Sequence, residues 1–156
     1  MYDPNCKVVP PLRSEDDRRA LVAGLRDATL DCVVTNHQPR TLVDKLCEFD
    51  HVEPGMTGLE TALASLMGLV DQGELSLTRL VRALTTEPAR IFSLQGGTLK
   101  PGAPADLVVF QPQLEWTVTL DRLFSRGRNT PLAGAQMKGR VLLTVVGGDV
   151  VFQEAA

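Results

Sequence analysis

The residues best placed for chemistry are Asn36-His37-Gln38-Pro39-Arg40, which follow the apolar run Cys32-Val33-Val34-Thr35. Such a run reads as a short buried strand, so the polar pentapeptide stands where a strand ends and a loop begins. A histidine there can bind a metal or carry a proton. An asparagine cannot serve as an acid or base, because its amide takes no proton at ordinary pH. A lone histidine beside a strand end also has a plain structural reading. Arg40 has two readings, a carboxylate contact or a solvated loop arginine. Further metal ligands are scarce. His37 and His51 are the two histidines of the chain, whereas a catalytic zinc takes about three protein ligands. Cys6, Cys32 and Cys47 are odd in number and widely spaced, which fits neither a disulfide framework nor a CxxC metal site. Cys32, inside the apolar run, reads as a small buried hydrophobe.

The elements that must position these residues can be read from the pattern. Pro10-Pro11 forbids a helix and sets an extended path into Leu12-Arg13. Ser14, with Asp17 three residues on, reads as a helix N-cap. Leu21, Val22 and Leu25 then give a helix over about 15–27. A strand follows over 31–35, and a long loop over 36–57 contains Pro54-Gly55. The next helix is expected over 58–69, with Leu59, Ala62, Leu63, Leu66 and Met67 on one side and Gln72-Gly73 as its stop. Glu60 reads as a helix-start carboxylate. Ser76 caps another helix over 77–84, its apolar face holding Leu77, Leu80, Val81 and Leu84. Pro88 sits at the start of a third, which runs to about Leu94, before Gly96-Gly97. Beyond Gly97 the texture is β-rich: 105–110, 116–118, 141–146 and 150–152, with Gly147-Gly148-Asp149 as a hairpin turn. Trp116 reads as core.

Composition narrows the function classes. The chain has 156 residues, about one ordinary domain, and a formal net charge of −3. That balance gives no electrostatic reason for a nucleic acid or an anionic membrane as partner. No long apolar stretch spans a bilayer, and the first residues lack the basic and apolar regions of a signal peptide, so the expectation is a cytoplasmic protein. One feature is incomplete. A parallel strand at 31–35 needs neighbours on both sides, and no second parallel strand precedes it. The chain therefore reads as the end of a larger α/β domain, with Met1 inside it.

Several motifs run in one order along the whole chain. They are Tyr2-Asp3-Pro4-Asn5, Lys7 through Arg13, Thr35 through Arg40, Glu48-Phe49, Pro54-Gly55, Gly58-Leu59-Glu60, Pro88-Ala89, Gly97 through Gly102, Ala105-Asp106-Leu107, Asn129-Thr130-Pro131 and Gly139. Together they resemble the C-terminal portion of a dihydroorotase, within the amidohydrolase superfamily. The pairing of Pro-Pro-Leu-Arg with Thr-x-His-x-Pro at this spacing is its most specific part. The fold class the resemblance implies is α/β: the C-terminal part of an amidohydrolase (β/α)8 TIM barrel, followed by part of a small β-sandwich domain. Residues 1–96 would be the end of the barrel and residues 97–156 the C-terminal sandwich strands. The metal-binding His-x-His motif, a bridging carboxylate and two further histidines would lie in a missing N-terminal half of the barrel.

The family opens dihydroorotate to N-carbamoyl-aspartate with a zinc-bound hydroxide. The resemblance puts the family's proton-shuttling, metal-binding aspartate at Asn36. It puts a substrate-binding histidine at Arg40 and a substrate-binding asparagine at Val9. Pro54 and Gly55 match a stretch whose backbone contacts substrate. The three polar positions that can be mapped have all changed, which reads as a lost catalytic function on a retained scaffold. Losing a positioned acid-base group removes about 10²–10⁴ of rate. Some bacteria carry such non-catalytic dihydroorotase-like proteins, which assemble with aspartate carbamoyltransferase, and the changed site resembles that subgroup. No metal and no cofactor is expected in this chain alone, zinc being the family's metal. The alternative is part of an active zinc-dependent cyclic amidohydrolase completed by the missing half. A compensating acid would then come from Asp44, Glu48 or Asp50 in the same loop. A third reading is a gene fragment without function of its own.

Overall fold

The computed structural model describes residues 2–154, so Met1, read above as a start inside a larger domain, lies outside them. Helix α1 covers Glu15–Arg26, where the Ser14–Asp17 capping box forms in both directions. Helix α2, Leu42–Lys45, lies within the segment expected to be all loop. Its signature is Thr41-x-x-Asp44, a second capping box. Helix α3 is Ala62–Asp71, α4 is Leu77–Leu84 capped by Ser76, and α5 is Thr86–Ile91.

Strands β1 (Leu107–Thr117), β2 (Gln136–Val146) and β3 (Asp149–Gln153) form an antiparallel sheet in the order β1-β2-β3. The two strands expected at 105–110 and 116–118 are one strand with register shifts. The larger shift falls between Gln111 and Glu115 and contains Pro112, which has no N–H to give a ladder. Gly147 and Gly148, with φ of 59° and 94°, make the two-residue turn, and Asp149 already pairs with Val146.

The core cluster is Leu25, Met67, Leu75, Leu80 and Ala83, with Val33, Leu63 and Phe110 packed against it. It thus joins α1, α3 and α4 to the sheet. Helix α3 lies on β2 at Gly139, where a Cβ would stand 2.8 Å from Met67 Cγ. Glycine permits that approach and the local φ of 90°.

Several expectations fail for identifiable reasons. Residues 31–35 are extended but form no strand, because the described residues offer them no ladder. Val33 N–H instead donates to Ala83 O (3.1 Å) at the end of α4, and the only pairing nearby is an isolated parallel bridge between His37 and Met56. Helix α3 begins at Ala62, four residues later than Gly58, and the N–H groups of Gly58 and Leu59 ahead of it donate to His37. Helix α5 stops at Ile91, and Leu94 is exposed. Leu21 and Val81 face solvent, the buried faces being Val22 with Leu25 and Leu80 with Ala83. Cys32 is only half-buried, Cys47 is exposed and all three cysteines are free. Trp116 is half-buried, its indole N–H on Gly139 O and the Arg140 guanidinium 4.5 Å from its ring centre. Pro10-Pro11-Leu12-Arg13 is exposed, and Arg13 pairs with Asp17 at 3.2 Å. Among the described residues no helix is long and apolar enough to cross a membrane.

Candidate functional site

Two loops, 36–40 and 53–57, run side by side from the single His37–Met56 bridge. Gln38 N–H donates to Met56 O (2.9 Å), and Gly55 N–H donates to Lys7 O (2.9 Å). The N-terminal segment, the pentapeptide and the Pro54-Gly55 turn therefore meet in one place.

Asn36 is exposed and left-handed, with φ of 46°, a conformation asparagine adopts more readily than most residues. Its Nδ2 donates to Val9 O (3.0 Å), and its Oδ1 accepts from Gln38 Nε2 (2.9 Å). Both ends of the amide are engaged, and neither can exchange a proton with a substrate. Val9 meets Asn36 through its main-chain carbonyl, while its residue is exposed.

Arg40 is half-buried rather than a free loop arginine. Its Nε donates to Pro54 O (2.8 Å), and its backbone N–H donates to Asn129 Oδ1 (2.8 Å). Gly55 has a φ of 142°, and a Cβ there would meet Gln38 O at 2.8 Å and Arg40 Nε at 3.0 Å. Val9, Asn36, Arg40, Pro54 and Gly55 thus belong to one hydrogen-bonded neighbourhood. His51 is exposed in the outer part of the loop.

Lysines fasten the same loop from beneath. Lys45 is buried and donates to Pro4 O (3.1 Å) and Glu53 O (2.8 Å). Burial, and then the charges of Arg40 and Lys7, lower its ammonium pKa. Lys7 donates to Phe49 O and Asp50 O, both at 2.9 Å, and lies 5.7 Å from the Phe49 ring centre. Asp44 is committed to the Thr41 cap, while Glu48 and Asp50 are exposed. The hydrogen-bond partners of Asn36 are Val9 and Gln38, with no acid among them.

His37 joins a second group that the sequence did not reveal. Its Nδ1 accepts from the N–H groups of Gly58 (3.1 Å) and Leu59 (3.4 Å). The proton of the neutral ring therefore sits on Nε2, 3.5 Å from Ser125 Oγ. Ser125 in turn donates its hydroxyl (2.6 Å) and its N–H (2.7 Å) to Glu60 Oε1. Burial raises the Glu60 carboxyl, but the bonds from the Ser125 hydroxyl and N–H, and then from its own N–H, outweigh it and hold the group below the usual range. Glu60 is therefore no helix-start residue. No short motif could have signalled this contact, because Ser125 lies 65 positions away in sequence.

The donor set does not fit zinc. Among the described residues no group of three or more histidine, cysteine or acidic side chains could hold a metal ion. The group at position 36 is a neutral amide, and both of His37's nitrogens face protein partners.

The model of the amidohydrolase family matches residues 9–151. A dihydroorotase of Syntrophus aciditrophicus (strain SB) is 48% identical over 153 residues, covering 98% of this chain and 36% of that protein. A dihydroorotase of Anaeromyxobacter dehalogenans (strain 2CP-C) is 49% identical, with 98% and 35% covered. Among solved structures, the L-hydantoinase (dihydropyrimidinase) of Arthrobacter aurescens superposes with a TM-score of 0.90 at 31% identity, covering 98% of this chain and 35% of that one. The D-hydantoinase (dihydropyrimidinase) of a Thermus species gives 0.87 at 28% identity, with 96% and 34% covered. The chain spans about a third of the length of these relatives. These neighbours support a TIM-barrel-type fold, of which the described residues form a partial α/β unit with a three-stranded sheet. On both sequence and fold, the chain belongs to the amidohydrolase family.

Proposed function

We propose that this chain is the C-terminal part of a dihydroorotase-like amidohydrolase of pyrimidine biosynthesis that no longer hydrolyses dihydroorotate and acts as a structural partner of aspartate carbamoyltransferase. On this reading residues 1–96 close the barrel and residues 97–156 contribute to a β-sandwich. The observation that carries it is Asn36. An amide stands where the family's acid-base carboxylate is expected, and both of its ends are tied to Val9 and Gln38. The test is dihydroorotate hydrolysis by the protein as its cells make it, with added zinc, alongside recovery of aspartate carbamoyltransferase with it. The expected result is no turnover above background and co-purification of the transferase. Turnover overturns the loss of catalysis, and a protein that never meets the transferase overturns the partnership. Asn36→Asp alone is expected to leave the protein inactive, because Val9 and Arg40 still replace two substrate contacts.

The second reading is an active zinc-dependent cyclic amidohydrolase completed by an N-terminal half. The high identity to proteins named dihydroorotase favours it. Zinc-dependent turnover in the same assay separates the two.

A further inference from the structure

We propose that Asn129 is the positioning residue of the candidate site, a buried clamp that sets the distance between its two loops. This assignment rests on reading Asn36, Arg40, Pro54 and Gly55 as the site, and not on whether that site is active. Asn129 is 4% exposed, and a buried carboxamide must find partners or destabilise the fold. It finds three, all of them backbone groups of the two loops. Oδ1 accepts from Arg40 N–H at 2.8 Å, while Nδ2 donates to Gln38 O at 3.1 Å and Gly55 O at 3.0 Å. Its own carbonyl accepts from Thr57 N–H at 3.0 Å.

One side chain therefore makes three of its four possible hydrogen bonds, all to main-chain groups of these loops. Its Oδ1 and Nδ2 both hold loop 36–40, its Nδ2 also holds loop 53–57, and the three bonds reach across 89, 91 and 74 positions of sequence. Within the loops, Gln38 N–H to Met56 O is the one main-chain bond of the His37–Met56 bridge region. Beside the bridge, Arg40 Nε on Pro54 O also links the two loops, and Asn129 adds two bonds to one loop and one to the other from a third segment. Gly127 makes room for it. A Cβ at Gly127 would lie 2.6 Å from Pro39 Cβ, 2.9 Å from Arg40 N and 2.9 Å from Asn129 Oδ1. The segment 127–129 is thus fitted against the pentapeptide, and the place of Arg40 is dictated from the segment between β1 and β2.

The chemistry of the amide gives a discriminating test. Asn129→Asp keeps an oxygen acceptor for Arg40 N–H but loses both donors to Gln38 O and Gly55 O. Asn129→Ala loses everything. Residue-resolved amide hydrogen exchange is measured on the protein as its cells make it, without any partner. In Asn129→Ala, exchange is expected to rise about tenfold or more at Arg40, whose N–H loses its acceptor, and at Gln38 and Gly55, whose N–H groups bond to Met56 O and Lys7 O and loosen as the loops part, with Leu80 and Ala83 in α4 unchanged. In Asn129→Asp, Arg40 N–H keeps its acceptor and stays protected, while a carboxylate oxygen facing Gln38 O and Gly55 O pushes the loops apart, so that the Gln38 and Gly55 N–H groups, bonded to Met56 O and Lys7 O, accelerate. Gly127→Ala, which leaves Asn129 intact, is expected to loosen the same three amides. Unchanged exchange at Arg40 in Asn129→Ala overturns the proposal. So does a rise of equal size in α4, which marks a general loss of stability. If Asn129→Ala does not fold, the Asp and Gly127 variants decide by the same criteria. Because no activity or partner is read, failure of the assembly role leaves this result untouched.

Discussion

Replacing Asn36 by aspartate tests the local geometry more severely than it tests catalysis. The substitution is isosteric, and its effect follows from two hydrogen bonds. The Nδ2 donor to Val9 O, at 3.0 Å, becomes a carboxylate oxygen facing a carbonyl oxygen. The lost bond is worth about 0.5–1.5 kcal/mol. The new contact between like partial charges adds roughly 0.5–1 kcal/mol in the high dielectric of an exposed site. Against this, the bond from Gln38 Nε2, at 2.9 Å, becomes charge-assisted, a gain of about 1 kcal/mol at most. The net expectation at pH 7 is a loss of about 1 kcal/mol. When the carboxyl is protonated it can donate to Val9 O, and the loss disappears. The folded pKa at position 36 therefore lies above the unfolded value of about 3.9. Stability is complete below the unfolded pKa and is lost as pH rises through the folded one. Thermal unfolding of both proteins from pH 3 to 7 reads this directly. For a domain of this size about 1 kcal/mol is roughly 2–4 °C at pH 7, shrinking to nothing near pH 3. An Asn36→Asp variant as stable as the parent at pH 7, or a deficit that persists at pH 3, refutes the reasoning.

Other perturbations follow from the same contacts. Leu80→Ala empties a fully buried position and is expected to cost about 2–5 kcal/mol in denaturant unfolding. Gly139→Ala places a Cβ 2.8 Å from Met67 Cγ at a φ of 90°, and is expected to cost about 1–3 kcal/mol by separating α3 from β2. Glu60 has a lowered pKa held by Ser125. Its stability contribution is present above the unfolded carboxylate range and lost as pH falls through the folded pKa. Ser125→Ala is expected to flatten that acid limb, and pH-dependent unfolding checks it.

How much could be read from sequence depended on whether the signal was local. Ser14 with Asp17, Ser76 before Leu77, and the Gly147-Gly148 turn are short-range devices, and each stands where the spacing put it. The Thr41–Asp44 box is just as local and was readable, but its helix is a single turn inside a polar loop. The apolar run at 31–35 misled, because hydrophobicity signals burial but does not supply ladder partners. The residues that the motif order singled out one by one lie together in the structure. Asn129 and Ser125 were not legible as site residues, since their partners lie 65 or more positions away and amide or hydroxyl side chains carry no periodic signal.

The way the loops are held shows what fixes the shape of this neighbourhood. Arg40, Lys45, Lys7 and Asn129 all direct their donors at backbone carbonyls: Pro54 O, Pro4 O and Glu53 O, Phe49 O and Asp50 O, Gln38 O and Gly55 O. A carbonyl is the same acceptor whatever side chain its residue carries. Even the partner of Asn36 at position 9 is a carbonyl, so the valine there alters the surface without altering the bond. Geometry in this neighbourhood is therefore fixed by the donors, while the side chains at positions 9 and 36 can vary within it. Within this frame an acid and an amide at position 36 differ by about 1 kcal/mol in stability and in whether the group can carry a proton. That separation predicts that variants at position 9 shift stability by less than about 0.5 kcal/mol, whereas loss of the Lys45 ammonium, buried against two carbonyls, destabilises strongly.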